Sequence, residues 1–234
     1  MKIEIRNLKK RFNDNFVLKD ISLTIEKNKS TIILGQSGCG KSVLIKTIYQ
    51  LFNFDSGSIL YDKKPEVDID KFSMLFQYGA LFDSLKISEN IAFTDFINNK
   101  TNYKKKVISL MGDVGLDKSI FNKYPSEISG GMKKRAALAR ALYKNPKVIF
   151  LDEPTTGLDP INSDKINELI LKVITRRKIT AVTITHDIKS AIKTGDHYYF
   201  IDKGIIQDEG DCKKILKTKN KVFKSFITGA DIKQ

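Results

Sequence analysis

Short apolar runs alternate along this chain with longer segments of helical periodicity. Four apolar runs have the profile of buried parallel strands, at residues 30–34, 72–76, 147–151 and 181–185. Five segments space their apolar residues as a helix does, at residues 43–51, 87–96, 104–111, 131–142 and 161–175. The alternation predicts an α/β fold with a parallel sheet.

The most specific motif lies between the first of these strands and the first helix. Residues 35–42 read Gly-Gln-Ser-Gly-Cys-Gly-Lys-Ser, a complete phosphate-loop pattern in the strand–loop–helix setting that it requires. Glycines let backbone N–H groups point at phosphate oxygens, and the helix N-terminus adds its dipole. The predicted nucleotide-binding residues here are Gly35, Gln36, Ser37, Gly38, Cys39, Gly40, Lys41 and Ser42. Lys41 would contact the β- and γ-phosphates, and Ser42 would offer a hydroxyl to Mg²⁺.

Two adjacent carboxylates follow the apolar run that begins at residue 147. Asp152 and Glu153 would stand at the carboxyl edge of a parallel sheet, where the phosphate loop also opens. In a P-loop enzyme the first acid holds Mg²⁺ through its hydration shell, and the second can polarise a water for attack on the γ-phosphate. Alone, such a pair is typical of a solvated loop. The phosphate loop upstream favours the functional interpretation.

A second glycine turn precedes the segment 131–142. Ser129, Gly130 and Gly131 lead into residues rich in Ala, Leu, Lys and Arg, which are strong helix formers. This turn is therefore a second helix N-terminus at which an anion can bind. One triphosphate does not need two such sites. The economical hypothesis is that the turn serves a nucleotide bound to another copy of the protein.

Composition adds constraints to this picture. The 234 residues suffice for one α/β domain with a full core. The first residues do not resemble a signal peptide, and no apolar run approaches the length that spans a bilayer. The net charge of +14 comes mostly from dispersed lysines, which suits anionic lipid headgroups but forms no nucleic-acid stripe. The two cysteines fit a reducing compartment, with Cys39 as a small packing residue.

The order of these motifs resembles that of the ATP-binding cassette (ABC) ATPases, from about residue 3 to about residue 210. The resemblance implies ATP hydrolysis with Mg²⁺. Its catalytic residues would be Glu153, His186, Gln77 and Lys41, and its Mg²⁺ ligands Ser42, Gln77 and Asp152. It further implies ATP contacts by Phe12 (adenine stacking), by Ser129, Gly130 and Gly131 (the partner's nucleotide), and by Asp159 (the link between the two sites). An aromatic near an N-terminal strand, such as Phe12, is also typical of a core residue.

The family resemblance also implies a fold. Residues 1–234 would form one ABC ATPase domain, with a P-loop core at about 1–77 and 140–234. An antiparallel β subdomain would include roughly residues 2–25 and 58–61, and a helical subdomain about 78–139. Local patterns agree, because the segment between residues 87 and 142 reads as helices without a strand. A basic tail over residues 213–226 reads as helical.

Two segments narrow the resemblance. Residues 72–82 and 129–140 look like those of the ATPase subunit of Mla-type (Mkl-like) bacterial phospholipid transporters, with Met132 where most cassettes carry Gln. That likeness implies a homodimer of ATPase chains under two integral-membrane permeases, at the cytoplasmic face of the inner membrane. A periplasmic lipid-binding protein would complete a system that moves phospholipids between the two membranes and maintains lipid asymmetry.

A partner surface is predicted beside Gln77. Tyr78, Leu81 and Phe82 make an apolar and aromatic patch suited to a permease helix. The same side chains would alternatively form the core of the helical insert.

Other functions stay open on these residues. An ABC transporter ATPase for another substrate would share every catalytic residue. A soluble ABC ATPase of iron–sulfur assembly would also be a single cassette. A nucleic-acid factor ranks last, because such proteins usually carry two cassettes, a long coiled coil or a basic linker, and this sequence has none of these.

Overall fold

The structure of the protein is a computed structural model that describes residues 1–229. Its strands are β1 (Ile3–Phe12), β2 (Asn15–Ile25), β3 (Ser30–Leu34), β4 (Ser56–Tyr61), β5 (Phe72–Leu75), β6 (Val148–Asp152), β7 (Thr180–Thr185), β8 (His197–Asp202) and β9 (Ile205–Asp211). Its α-helices are α1 (Lys41–Ile48), α2 (Ile87–Ile91), α3 (Phe93–Ile97), α4 (Lys104–Asp113), α5 (Gly130–Leu142), α6 (Pro160–Arg177), α7 (Ile188–Thr194) and α8 (Lys221–Thr228). The predicted domain extends to residue 234, and residues 230–234 lie outside the described residues.

The strands join in one sheet, in the order β4-β1-β2-β9-β8-β3-β7-β6-β5. From β8 to β5 every neighbouring pair is parallel. Strands β3 and β7 are buried at every residue, as expected of parallel strands covered on both faces. The predicted P-loop fold of α/β type is confirmed.

Alternate residues of the parallel strands face different cores. Ile33, Phe150 and Val182 pack with α1 and with apolar residues of β1 and β2. Ile149 and Ala181 belong to a second core that includes residues of α4, α5 and α6. The two-residue period of a strand thus divides the residues of β6 and β7 between an α1-side core and a helical core.

The N-terminal strands form the antiparallel part of the sheet. Strand β1 pairs antiparallel with both β2 and β4. A single parallel pair, Asp20 with Ile205, links β2 to β9. This arrangement matches the antiparallel region expected near residues 2–25 and 58–61.

Helices fill the chain between β5 and β6. Helices α2, α4 and α5 supply Ile91, Val107, Met111 and Leu138 to the helical core. The predicted helix over 87–96 is two short helices, α2 and α3, that meet at Ala92. The subdomain boundaries at residues 78 and 139 stay predictions, and α5 continues past the second of them to Leu142.

The C-terminal part of the described chain adds a strand pair and two short helical segments. Strands β8 and β9 pair antiparallel and were not among the strands expected from the sequence. The tail expected to be helical over 213–226 is a 3₁₀ segment at Cys212–Lys217 followed by α8. Phe223 of α8 is fully buried and stacks on Phe200 of β8 with ring centroids 4.5 Å apart. No helix in residues 1–229 combines the length and apolar character needed to cross a bilayer.

Candidate active site

The candidate site forms where adjacent parallel strands end. The order β3-β7-β6-β5 sets side by side the phosphate loop, His186, the Asp152–Glu153 pair and Gln77, each at or just beyond a strand end. These segments line a cavity of about 540 Å³. Its lining residues are Val17, Gly35, Ser37, Gly38, Gly40, Lys41, Ser42, Val43, Gln77, Asp152, Glu153, Ile184 and His186.

Glycine is required where the phosphate loop leaves β3. Gly35 has φ +154°, and a Cβ there would lie 2.3 Å from the carbonyl oxygen of Ile201 and 2.6 Å from Cys39 Sγ. Gly40, at the start of α1, has φ +107°, and its Cβ would lie 3.0 Å from the carbonyl oxygen of Val17. The loop therefore fits between β2 and β8 only with bare backbone at these two positions.

Lys41 places a buried cation inside the loop. The residue is 9% exposed, and its ammonium donates to the carbonyl oxygens of Gly35 and Gln36, both at 2.7 Å. A third contact, at 3.8 Å, is to Cys39 Sγ. These partners carry no negative charge, and α1 has no acidic residue in its first turn. A desolvated cation at a helix N-terminus is a strong anion site.

Asp152 is a half-buried carboxylate that lines the same cavity. Burial raises its pKa, the Glu153 carboxylate raises it further, and Lys41 and Lys46 oppose both effects. Removing water from a carboxylate disfavours its charged form unless a cation is near. Mg²⁺ meets that requirement, and the oxygen atoms of Ser42 and Gln77 that share this cavity are ligands of the kind Mg²⁺ accepts.

Glu153 is held in a strained conformation by several contacts. Its φ of +46° lies in the left-handed region, which costs a non-glycine residue about 1–2 kcal/mol. Its N–H donates to the carbonyl oxygen of Ile184 at 2.9 Å. One carboxylate oxygen lies 2.7 Å from His186 Nδ1, and the other accepts from Thr156 at 3.3 Å and Thr185 at 3.4 Å. The side chain is 13% exposed and that of His186 is 67% exposed, so the pair spans from the interior to the cavity mouth.

Several residues predicted to contact ATP do not line this cavity. Gln36 contributes its carbonyl to Lys41, and burial raises the pKa of the Cys39 thiol against the effect of Lys41. Phe12 is 41% exposed and lies edge-on to Phe52 with centroids 5.4 Å apart.

The glycine turn at residues 129–131, here called the signature turn, and Asp159 also lie elsewhere, each at the start of a helix. Ser129 Oγ accepts from the N–H of Met132 at 3.4 Å, which caps α5 just before Gly130 and Gly131. Asp159 accepts from the N–H of Asn162 at 3.0 Å, which caps α6. Their predicted roles require a second chain and stay predictions.

The predicted partner residues differ in exposure. Tyr78 is 82% exposed, and Phe82 is 45% exposed and stacks on Phe93 with centroids 4.6 Å apart. Leu81 is half-buried and packs against the helical core. Tyr78 and Phe82 are therefore the members of this patch available to a partner.

Some residues at the site were missed by sequence reasoning. Thr185 directly precedes His186, and Thr156 follows Glu153 by three positions, so both were close to a recognised motif. Val17 reaches the cavity from β2, and nothing in the sequence signalled that placement. Lys134 donates to the carbonyl oxygen of Gln77 from α5, a contact that only the folded chain brings together.

A family model described as "ABC transporter" matches residues 18–156, which is more than half of the chain. The chain belongs to the ABC transporter family. The match includes the phosphate loop, Gln77, the turn at Ser129 and both carboxylates.

Curated members of the family align along most of this cassette. It is 33% identical over 225 residues to "Sulfate/thiosulfate import ATP-binding protein cysA" of Cucumis sativus, covering 92% of this chain and 64% of that protein. It is 32% identical over 246 residues to "Probable ribonucleotide transport ATP-binding protein mkl" of Mycobacterium tuberculosis (strain ATCC 25618 / H37Rv), covering 98% and 67%. The chain thus spans just under two thirds of the first of these relatives.

Solved cassettes share the fold. The structure of cbiO1 from Clostridium perfringens, part of the ABC transporter complex cbiONQ, superposes with a TM-score of 0.84 at 28% identity, covering 96% of this chain and 94% of that one. The dimeric post-hydrolysis cassette MJ0796, bound to ADP and Pi, gives a TM-score of 0.76 at 26% identity, covering 90% and 98%.

We expect Gly35→Ala to weaken ATP binding by about tenfold or more, because the added methyl group collides with backbone of β8 and displaces the loop. Fluorescent ATP titration measures this. Gly112→Ala is the matched control, because Gly112 lies in α4 with no atom within 4 Å of an added Cβ. Equal affinities in the two variants would contradict the tight fit of the phosphate loop.

Proposed function

We propose that this chain is the ATP-hydrolysing subunit of an ABC transporter and that it acts as a homodimer with ATP bound between the chains. One observation carries the proposal. Lys41, Asp152 and Glu153 line one cavity, whereas the exposed glycine turn that begins α5 lies outside it. A second chain facing head to tail would bring that turn to the nucleotide held by Lys41. The likeness to the MJ0796 dimer supports this arrangement.

The chemistry follows from the contacts of Glu153. Its carboxylate accepts the proton of a water molecule as that water attacks the γ-phosphorus in line and the bond to the β-phosphate oxygen breaks. Three hydrogen bonds from His186, Thr156 and Thr185 fix the carboxylate, so little reorganisation is needed at the moment of attack. Lys41 neutralises charge on the phosphates. Mg²⁺, held by Ser42, Asp152 and Gln77, would neutralise further charge on the β- and γ-phosphate oxygens.

We expect Glu153→Gln to retain ATP binding and to lose turnover by about 10²- to 10⁴-fold, because an amide cannot accept the proton of the attacking water. The variant should form a stable ATP-dependent dimer, since hydrolysis is what separates the chains. Phosphate release and gel filtration with ATP measure the two effects.

Two further variants serve as controls for the Glu153→Gln experiment. Glu66→Gln changes an exposed acid away from the cavity and should behave as the wild type. Lys41→Ala should instead lose ATP affinity. A fully active Glu153→Gln chain would remove this residue from its proposed role.

The permease would bind in the groove beside Gln77. Phe76, Ala80, Phe82 and Phe93 line an apolar cavity of about 280 Å³, and Tyr78 stands exposed next to it. Exposed aromatic side chains around an apolar groove are typical of a surface that receives a partner helix. Attachment there would place the cassette at the cytoplasmic face of the inner membrane.

Phospholipid is the proposed substrate, moved between inner and outer membranes with a periplasmic lipid-binding protein. Support comes from the likeness of residues 72–82 and 129–140 to Mla-type cassettes, including Met132. The Mkl relative aligns over 98% of this chain. The cysA relative, named for sulfate and thiosulfate import, favours a transporter of another substrate as the second candidate. Both candidates use the same site chemistry.

We expect a tagged chain, extracted gently from membranes, to retain a multi-spanning permease, a lipid-binding protein and phospholipid. Replacing Tyr78 and Phe82 together by Ser should release the permease while ATP binding persists, because both lie outside the nucleotide cavity. Phe16→Ser, at another exposed aromatic on β2, is the matched control.

The outcome separates the candidates. Recovery of a permease together with an oxyanion-binding protein would contradict phospholipid as the substrate and favour a transporter of another substrate. Purification with soluble partners alone would favour the iron–sulfur assembly alternative and would contradict transport.

A further inference from the structure

Helix α5 holds the backbone of the loop that carries Gln77. Two cationic side chains on one side of this helix, Lys134 and Arg140, donate to carbonyl oxygens of residues 77–80, here called the Gln77 loop. Ala137, between them on the helix, contacts the same loop, because a Cβ on Gly79 would lie only 3.3 Å from the Ala137 Cβ. The spacing of three residues keeps these three positions on one side of the helix.

Arg140 makes the more specific of the two attachments. Its two terminal nitrogens donate to the carbonyl oxygens of Gly79 and Ala80, each at 2.7 Å. Both loop residues have left-handed backbones, with φ of +75° at Gly79 and +47° at Ala80. This conformation is costly for Ala80. The planar guanidinium matches two adjacent acceptors in a way that a lysine ammonium does not.

Lys134 reaches the loop nearer to the reacting groups. The residue is 8% exposed, and its ammonium donates to the carbonyl oxygen of Gln77 itself. Burial lowers the pKa of Lys134, and the nearby Glu153 carboxylate opposes that effect. The ammonium is thus within electrostatic reach of the proposed base. A buried cation whose hydrogen-bond partner is a neutral carbonyl is a poor source of stability, so its position calls for another explanation.

The same helix begins at the signature turn. Gly130 is the first residue of α5, and Ser129 caps it. A continuous helix of 13 residues therefore joins the turn to both attachment points on the Gln77 loop. Any shift of the turn along or across the helix axis moves Lys134 and Arg140 with it.

We propose that Lys134 and Arg140 are positioning residues that transmit a displacement of α5 to Gln77, so that nucleotide bound at the signature turn sets the geometry of the chain's own site. This inference rests on the proposed dimer. In each chain, the position of Gln77 would then depend on whether the partner's ATP is bound at that chain's signature turn. The two ATP sites are then coupled, and hydrolysis is cooperative in ATP concentration.

Arg135 provides a control of the same chemistry on the same helix. Its guanidinium donates to the carbonyl oxygens of Val114 and Gly115, at 3.2 and 3.3 Å. That loop lies outside the nucleotide cavity. Both Arg135→Lys and Arg140→Lys should weaken a guanidinium contact between α5 and a neighbouring loop. Only Arg140→Lys should change the position of Gln77.

The experiment compares wild type with Arg140→Lys, Lys134→Met and Arg135→Lys, all as full chains. Rates of ATP hydrolysis are followed against ATP concentration, and amide hydrogen exchange is measured for residues 77–82. We expect Arg140→Lys to raise exchange in the loop, abolish cooperativity and lower kcat about tenfold, with ATP affinity within about twofold of wild type. Lys134→Met removes the charge while keeping the length of the side chain, and it should also abolish cooperativity. Arg135→Lys should keep wild-type cooperativity and loop exchange.

Any other outcome contradicts one identifiable step of the proposal. Unchanged loop exchange in both Arg140→Lys and Lys134→Met contradicts the attachment. Raised exchange with unchanged cooperativity contradicts the coupling. If Arg135→Lys loses cooperativity to the same extent, the contacts of Lys134 and Arg140 stabilise the fold in general and do not position Gln77. A wild-type chain that binds ATP without hydrolysing it contradicts the proposed function instead, and the coupling falls with it.

Discussion

The whole site depends on the register of four parallel strands. Leu34 of β3 pairs with Thr185 of β7, Asp152 of β6 pairs with Ile184, and Leu75 of β5 pairs with Leu151. Because the strands end nearly in step, the next residues of each chain segment emerge at one edge. Packing on both faces of these buried strands thus fixes the relative positions of the phosphate loop, the acids, His186 and Gln77. A register shift in one strand would move its proposed catalytic residue away from the others.

At the same edge of the sheet lie charged side chains whose burial is unfavourable for folding. Lys41 and Lys134 are buried, Asp152 is half-buried, and Glu153 is mostly covered with its backbone in the left-handed region. Each costs stability in the absence of a counter-charge. Together they form a polar environment that is arranged before the reaction, and such an environment stabilises developing charge better than water does. Neighbouring apolar cores provide the stability that offsets these costs.

Sequence reasoning predicted most of the fold and most of the polar residues that line the nucleotide cavity, because both depend on local patterns. The phosphate loop was visible from its spacing, and Asp152 and Glu153 from the apolar strand before them. Strand β9 was missed because its sequence, Ile-Ile-Gln-Asp-Glu-Gly-Asp, lacks the apolar alternation of a buried strand. The contacts of Lys134 and Arg140 join residues about 60 positions apart, so no local pattern signals them. Surface lysines and buried ones look alike in a sequence.

In the proposed dimer, each ATP site is built from two chains. Mixing Lys41→Ala with Gly131→Asp, two variants that should each be inactive alone, tests this arrangement. The aspartate places a negative charge at a turn where an added Cβ meets no atom within 4 Å. A mixed dimer would contain one site with both defects and one intact site. We expect mixing to restore ATPase activity above the sum of the separate variants, with about a quarter of the wild-type rate as the upper limit for random pairing of chains in a symmetric dimer. The rate falls below that limit because the intact site has lost its coupling to a working neighbour. Activity that stays at the sum of the separate variants would contradict a shared site.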